Sequence, residues 1–290
     1  ASDPMLMCAA HSAGARVIMA APSPEKVFTT NASARAEWVS GAVAALVANH
    51  MDGLVFDWES PCAPGAESQR IYAMLITETR AALRRLSPSY QVSVCVAWSP
   101  DGIDGRNYDI LALAAASDLL YVMDYDTRSQ VFDACVAAAN APFFGMAHGI
   151  QRYLSLGVPP SQLLLGVPWY GYRYECVGGT PPTAVTCPIP LDPFRGVNCS
   201  DAAGGEVALD EILTKQEGST TGRLWDAYQG ASYFNTIEGG ATVQYWYDDV
   251  LSLRPKYAYA RSLGLRGVGP FTFTDTGDPA MYEAFDAFLL

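Results

Sequence analysis

Through residue 167 the chain alternates short apolar runs with longer stretches of helical spacing. Residues 16–20 (RVIMA), 53–58 (GLVFDW), 91–97 (QVSVCVA), 119–123 (LLYVM) and 163–167 (LLLGV) read as strands. Between them, Ala36, Val39, Val43, Leu46 and Val47 lay one apolar stripe on a helix over 33–49. Further helices are expected over 67–86, ended by Pro88, and over 108–116, 129–139 and 144–156. Strands that are apolar on both faces and regularly followed by helices predict a parallel sheet covered by helices. The rhythm returns in a helix over 251–263, a strand over 267–273 and a helix over 279–290.

A parallel sheet of this kind closes in two common ways, as a doubly wound sheet or as a (β/α)8 barrel. The barrel is favoured because acids and aromatics recur at the carboxyl ends of successive strands. They include Asp57, Glu59, Trp98, residues 124–126, Trp169 and Tyr170. In a barrel those ends meet at one mouth. Residues 172–250 break the pattern, being rich in Gly, Pro, Cys, Trp and Tyr. Alternating runs over 231–236 and 242–247 around Gly239-Gly240 read there as antiparallel strands. The expected organisation is a (β/α) barrel over 1–171 and 251–290, with an α+β insertion over 172–250 covering the mouth. Only six barrel strands can be counted, where a closed barrel needs eight.

Composition removes several classes of function. Eighteen Lys and Arg against 30 Asp and Glu give a net charge of −12. So acidic a chain, without a basic run, argues against nucleic-acid binding. No stretch of 18 apolar residues is present, so no membrane span is expected. The three His (His11, His50 and His148) lack metal-ligand spacing, and no Gly-rich phosphate loop occurs, so neither a metal nor another cofactor is implied. Seven Cys and two sequons, at Asn31 and Asn198, together favour an oxidising compartment.

The strongest chemical signal lies at 52–59. Side chains alternate along a strand, so Val55, Asp57 and Glu59 share one face while Leu54, Phe56 and Trp58 share the other. In a barrel the first set points into the mouth. Two inward carboxylates repel each other, which raises one pKa as a general acid requires. A solvated strand terminus is the plain alternative.

Asp52-Gly-x-x-x-Asp57-x-Glu59 resembles the signature of glycoside hydrolase family 18, the chitinase family. Met123-Asp124-Tyr125-Asp126 resembles that family's Met-x-Tyr-Asp motif. Further blocks at 96–100, 137–142, 166–172, 193–196, 199–204, 246–248 and 265–267 carry the resemblance along nearly the whole chain. The resemblance implies that Glu59 gives a proton to the glycosidic oxygen. It implies that Asp57 orients the substrate's N-acetyl group, whose own carbonyl oxygen attacks the anomeric carbon. Tyr125 would hydrogen-bond that acetamide and Asp126 would hold the sugar. Trp98, Trp169, Tyr170, Trp246 and Phe271 are the candidate aromatic platforms. The implied activity is removal of N-acetylglucosamine from the chitobiose core of released N-glycan oligosaccharides, in a lysosomal or extracellular setting. A non-catalytic sugar-binding member of the same fold is the alternative.

Three features depart from the family pattern. Position 55 is Val, where chitinases usually carry an Asp, so nothing on that strand hydrogen-bonds Asp57. Phe271 stands where the family normally has a Trp. The first two barrel strands of the family precede the equivalent of Met5, so a shortened barrel is expected, with the strands near Arg16 and Gly267 as open edges. Of the cysteines, Cys176 and Cys187 close a short Gly- and Pro-rich loop and are expected to be disulfide-linked. Cys8–Cys62 and Cys135–Cys199 are further candidate pairs among 15 possible connectivities. Cys95, mid-strand, is expected to be a free, buried thiol.

Overall fold

The computed structural model describes residues 3–28, 30–273 and 279–290. The chain forms two compact units, one of Ala1–Val122 with Tyr153–Leu163 and one of Met123–Arg152 with Leu164–Leu290. In chain order the elements begin with α1 (Pro4–Ser12), β1 (Ile18–Ala20), α2 (Ala32–Ala48), β2 (Gly53–Phe56), α3 (Glu67–Leu86) and β3 (Gln91–Ala97). They continue with α4 (Ile110–Ala116), β4 (Leu119–Met123), α5 (Phe143–Leu156), β5 (Leu163–Pro168), β6 (Tyr170–Glu175) and β7 (Gly205–Ala208). The rest are α6 (Leu209–Glu217), β8 (Leu224–Asp226), β9 (Ala231–Glu238), β10 (Ala241–Tyr247), α7 (Val250–Ser262), β11 (Gly267–Phe271), α8 (Ala280–Glu283) and α9 (Asp286–Leu289).

The first unit is a sheet in the order β1-β2-β3-β4, with β1 and β3 both parallel to β2. The helices start where the sequence supplies caps. Asn31 accepts from the Ser33 and Ala34 amides ahead of α2, and Asp109 accepts from Ala112 ahead of α4. In α3, Glu67 opens the first turn and Arg84 and Arg85 close the last, matching the helix dipole. Its buried stripe includes Ile71, Leu75, Ile76 and Leu83. The helix-facing side of the sheet is dry, since Leu54, Phe56, Val92, Val94, Leu120 and Val122 are all buried. The opposite side keeps partial access to water at Val55, Cys95 and Tyr121.

The second unit carries β5 and β11, paired in parallel, and a five-stranded antiparallel sheet in the order β7-β6-β10-β9-β8. Six parallel-sheet strands are therefore present among the described residues, as the alternation implied. The antiparallel sheet contains β9 and β10, the two expected strands, and adds β6, β7 and β8, which the irregular composition concealed.

Two expected helices are corrected. Residues 129–139 are not a helix. Their backbone turns outward to pair with later segments: Val131 N–H donates to Cys199 O (3.0 Å) and Ala137 N–H to Cys187 O (2.9 Å). Their alanines supply helical propensity but no sufficient apolar face, and Phe132 is 81% exposed. The C-terminal helix is two short pieces, α8 and α9.

Cys176–Cys187 and Cys135–Cys199 are disulfides, and Cys8, Cys62 and Cys95 are free. The Cys8–Cys62 pairing is thus corrected. Cys8 faces outward on α1, whereas Cys62 is buried with its Sγ 3.0 Å from Ser68 Oγ. Sequence separations of 64 and 11 residues give the two cross-links chain-entropy contributions of about 4 and about 3 kcal/mol respectively. Cys135→Ser is accordingly expected to lower unfolding stability more than Cys176→Ser does. Denaturant melts of the two variants check the order, and equal losses would contradict it.

Candidate functional site

In the first unit the signature at 52–59 divides into structural and solvent-facing residues. Asp52 is structural. Its Oδ2 accepts from the Val17 amide (2.7 Å) and contacts His11 Nε2 (2.8 Å), pinning the start of β1. Burial pushes its pKa up, but these partners outweigh that and leave it lowered. Gly53 is required by close approach, since a Cβ there would lie 2.1 Å from the Gln91 carbonyl oxygen. Trp58 turns toward the helices, stacks on Tyr108 (4.9 Å between centroids) and donates its indole N–H to Glu25 (3.1 Å). The Tyr108 hydroxyl lies 2.7 Å from Trp58 O and 2.9 Å from Ser60 O, clamping the chain beyond β2.

That clamp leaves Asp57 and Glu59 on the other side of the extended segment. Glu59 is 54% exposed and forms an ion pair with Arg106. The same guanidinium, itself nearly buried, also holds Asp104 at 3.0 Å. Asp57 is exposed, although neighbouring protein displaces part of the water around its carboxyl. That loss of water is the leading cause of its raised pKa. Glu59 adds to the rise, while the positive charge of Arg106 opposes it. Trp98, also in this unit, is half-buried, and its indole nitrogen has no partner among the described residues. Arg106 and Tyr108 were not legible as site residues; each is a single residue in an irregular connection, with no spacing to mark it.

In the second unit four of the expected residues come together. Tyr125 stacks on Phe271 at 5.0 Å, and Tyr170 meets both rings edge-on. Phe271 is 46% exposed, so this cluster presents an open aromatic face. Asp126, at φ 51°, is the polar hub. It accepts from the hydroxyls of Tyr170 (2.5 Å) and Tyr172 (3.0 Å), and its amide donates to Asn140 Oδ1 (2.6 Å). Burial first, and Asp126 second, raise the pKa of both tyrosines far beyond the neutral range, so both remain donors. Tyr172 was missed; it lies two residues from Tyr170 on β6, and that period-two spacing is the signal that places both on one face.

The two candidate tryptophans of this unit, Trp169 and Trp246, are enclosed. Trp169 is 1% exposed and packs against Phe273, Tyr282 and Phe285. Trp246 stacks on Tyr233 at 4.6 Å and donates to Gln244 Oε1 (2.7 Å). Asn31 and Asn198, the sequon residues, are both exposed.

Beside the aromatic cluster in sequence, Asp124 points the other way into the core. Its two carboxyl oxygens have no hydrogen-bond partner among the described residues. Burial, opposed by Lys256 and reinforced by Asp248, pushes its pKa up to about 7. The folded state therefore holds this proton at pH values where the unfolded chain has released it. The resulting stability is full below the ordinary Asp range and is lost as pH rises through about 7. Unfolding stability is expected to fall between about pH 4 and pH 7, and Asp124→Asn is expected to flatten that slope. Denaturant titrations at several pH values check this, and an unchanged slope in the variant would assign it to another group.

No helix among the described residues is long and apolar enough to cross a membrane. A family model described as glycosyl hydrolases family 18 matches residues 24–275. The di-N-acetylchitobiase of Rattus norvegicus is 40% identical over 92% of this chain and 72% of its own length. A class V chitinase structure from Nicotiana tobaccum superposes with a TM-score of 0.75 at 19% identity, over 95% of this chain and 81% of that one. A chitinase-like agglutinin from Robinia pseudoacacia does so at 0.73 and 22%, over 98% and 84%. The fold is accordingly that of the family's (β/α)8 barrel, with six of its strands among the described residues, and the chain belongs to glycosyl hydrolases family 18.

Proposed function

We propose that this glycoside hydrolase cleaves the β-1,4 bond between the two N-acetylglucosamines of the chitobiose core in released N-glycan oligosaccharides. The observation that carries the reading is the pair of solvent-accessible carboxylates, Asp57 and Glu59, held two residues apart beyond β2 in a chain 40% identical to a di-N-acetylchitobiase. Glu59 donates a proton to the leaving glycosidic oxygen. The substrate's acetamide oxygen attacks the anomeric carbon, so the bond breaks without a protein nucleophile and configuration is retained after water adds. Asp57 orients that acetamide by accepting its N–H. The Arg106 pairing belongs to the ionised form of Glu59, so it loosens when the glycosidic oxygen enters. Within the second unit, Tyr125 offers its hydroxyl to a sugar's acetamide, Asp126 holds sugar hydroxyls, and the exposed Phe271 ring offers a flat face to a pyranose. Trp98, Trp169, Tyr170 and Trp246 support or line the sugar sites. The two disulfides and the exposed sequons fit a lysosomal or extracellular enzyme.

A second reading is sugar binding without turnover. The arginine-neutralised Glu59 and the small Phe271 platform favour it. Incubation with a chitobiose-core oligosaccharide separates the two: release of one reducing-end N-acetylglucosamine supports the hydrolase, and binding without release supports the alternative.

A further inference from the structure

Asp126 and Asn140 stand 14 positions apart, yet they meet at the neck of one loop in the second unit. The Asp126 amide donates to Asn140 Oδ1 (2.6 Å). Beside it, the Thr127 amide (3.2 Å) and the Thr127 hydroxyl (2.7 Å) both donate to the Asn140 carbonyl. All of these bonds end on residue 140. Asn140 is 3% exposed, and the Ala141 carbonyl next to it is anchored by Lys256. The loop also folds on itself, with Arg128 donating to the Val136 carbonyl (2.8 Å), and the Cys135–Cys199 disulfide ties it to the insertion. A compact loop with closed ends holds firmly whatever its neck presents. Here the neck presents Asp126, whose carboxyl accepts from Tyr170 and Tyr172. We propose that Asn140 is the positioning residue for Asp126, its side-chain carbonyl fixing the backbone turn from which the Asp126 carboxylate reaches the sugar. The inference rests on Asp126 holding sugar hydroxyls.

The neck keeps two costly features. Asp126 has φ 51°, the left-handed region, which a non-glycine residue holds only where its surroundings impose it. The bond that Asn140 Oδ1 accepts orients the amide, and its Nδ2 is then buried with no hydrogen-bond partner among the described residues. A buried donor without an acceptor lowers stability. What these features achieve is a carboxylate fixed from two sides. Tyr170 and Tyr172 both donate to Oδ1 of Asp126. Two hydroxyls on one oxygen hold that oxygen, but they leave the plane of the carboxylate free to swing unless the backbone behind it is fixed as well. Asn140 fixes that backbone.

Steady-state kinetics on a chitobiose-core oligosaccharide test this with wild type, Asn140→Ala, Asp126→Ala and the double variant. Asn140→Ala is expected to raise KM about tenfold, the effect of about one lost hydrogen bond. Its kcat should stay within about twofold, the pattern of lost binding. A variant that merely folds less well gives the opposite split, because fewer active molecules lower kcat at unchanged KM. In the Asp126→Ala background, Asn140→Ala should add nothing further, since the group it positions is gone. Thr127→Val removes only the hydroxyl bond to residue 140, should raise KM about threefold, and carries the test if Asn140→Ala does not fold. An unchanged KM in Asn140→Ala, or in Thr127→Val where that variant stands in, overturns the proposal. So does a second rise of about tenfold on top of Asp126→Ala, which would mean that Asn140 acts elsewhere. A wild-type KM in Asp126→Ala removes Asp126 from sugar binding, and the proposal falls with that role. If the chain binds the oligosaccharide without cleaving it, calorimetric Kd values of the same variants replace KM. The hydrolase reading then fails, while a loss of affinity in Asn140→Ala that disappears in the Asp126→Ala background still supports the positioning role, and its absence still overturns it.

Discussion

Glu59→Gln is expected to lower turnover by about 10²–10⁴-fold, the usual contribution of a general acid. Gln preserves the shape and length of the side chain but has no proton to give the leaving oxygen. Sugar binding should survive, because the aromatic cluster and Asp126 are untouched. The variant also loses the ion pair with Arg106, but that pair is half exposed on the Glu59 side and contributes little to folding. A thermal melt close to wild type should therefore accompany the lost activity. Retention of more than about a tenth of wild-type turnover would remove Glu59 from the acid role, given the magnitude a general acid supplies. Asp57→Ala should slow the reaction as well, through a misplaced acetamide, and a substrate lacking the N-acetyl group should be no worse for the variant than for wild type.

The largest expected effect on stability lies away from the carboxylates, at Lys256. This residue sits in α7 and is 0% exposed, paired with Asp248, which is 2% exposed, just beyond β10. Its ammonium donates to both Asp248 oxygens (2.7 and 2.8 Å) and to the Ala141 carbonyl (2.5 Å) ahead of α5. The segment ahead of α5, 115 positions away in sequence, is thus tied to the Lys256–Asp248 pair inside the second unit. Lys256→Met removes the cation and leaves Asp248 buried without compensation, beside an Asp124 that already lacks partners. Breaking such a pair from one side costs about 3–5 kcal/mol. Urea denaturation should register a loss of that size. The double variant Lys256→Met with Asp248→Leu should regain much of it, since replacing both partners removes the stranded charge. A single-variant loss below about 1 kcal/mol, the level of a surface pair, would show that water reaches the cluster.

The parallel strands were legible because each is a short apolar run between helices, and burial on the helix-facing side gives that pattern directly. Residues 129–139 misled for the complementary reason. Their local spacing suits a helix, but their backbone donors reach partners some 50 to 70 positions away, at Cys187 and Cys199, and a disulfide holds them there. The strands β6, β7 and β8 were hidden because pairing within an antiparallel sheet tolerates Gly, Arg and Glu at positions that local composition reads as loop.

By itself the sequence determined the parallel-strand rhythm, the six-strand count and the two acids of the signature, because all three are written in neighbouring residues. It also determined the family, because the motifs recur along the chain. Tertiary structure alone decided that Arg106 pairs with Glu59 and that Tyr170 and Tyr172 converge on Asp126. It alone made Lys256 a core residue. Each of these depends on strand register or on contacts across dozens of residues. Local spacing carries no record of such contacts, because a hydrogen bond or ion pair is set by distance in space and not by distance along the chain.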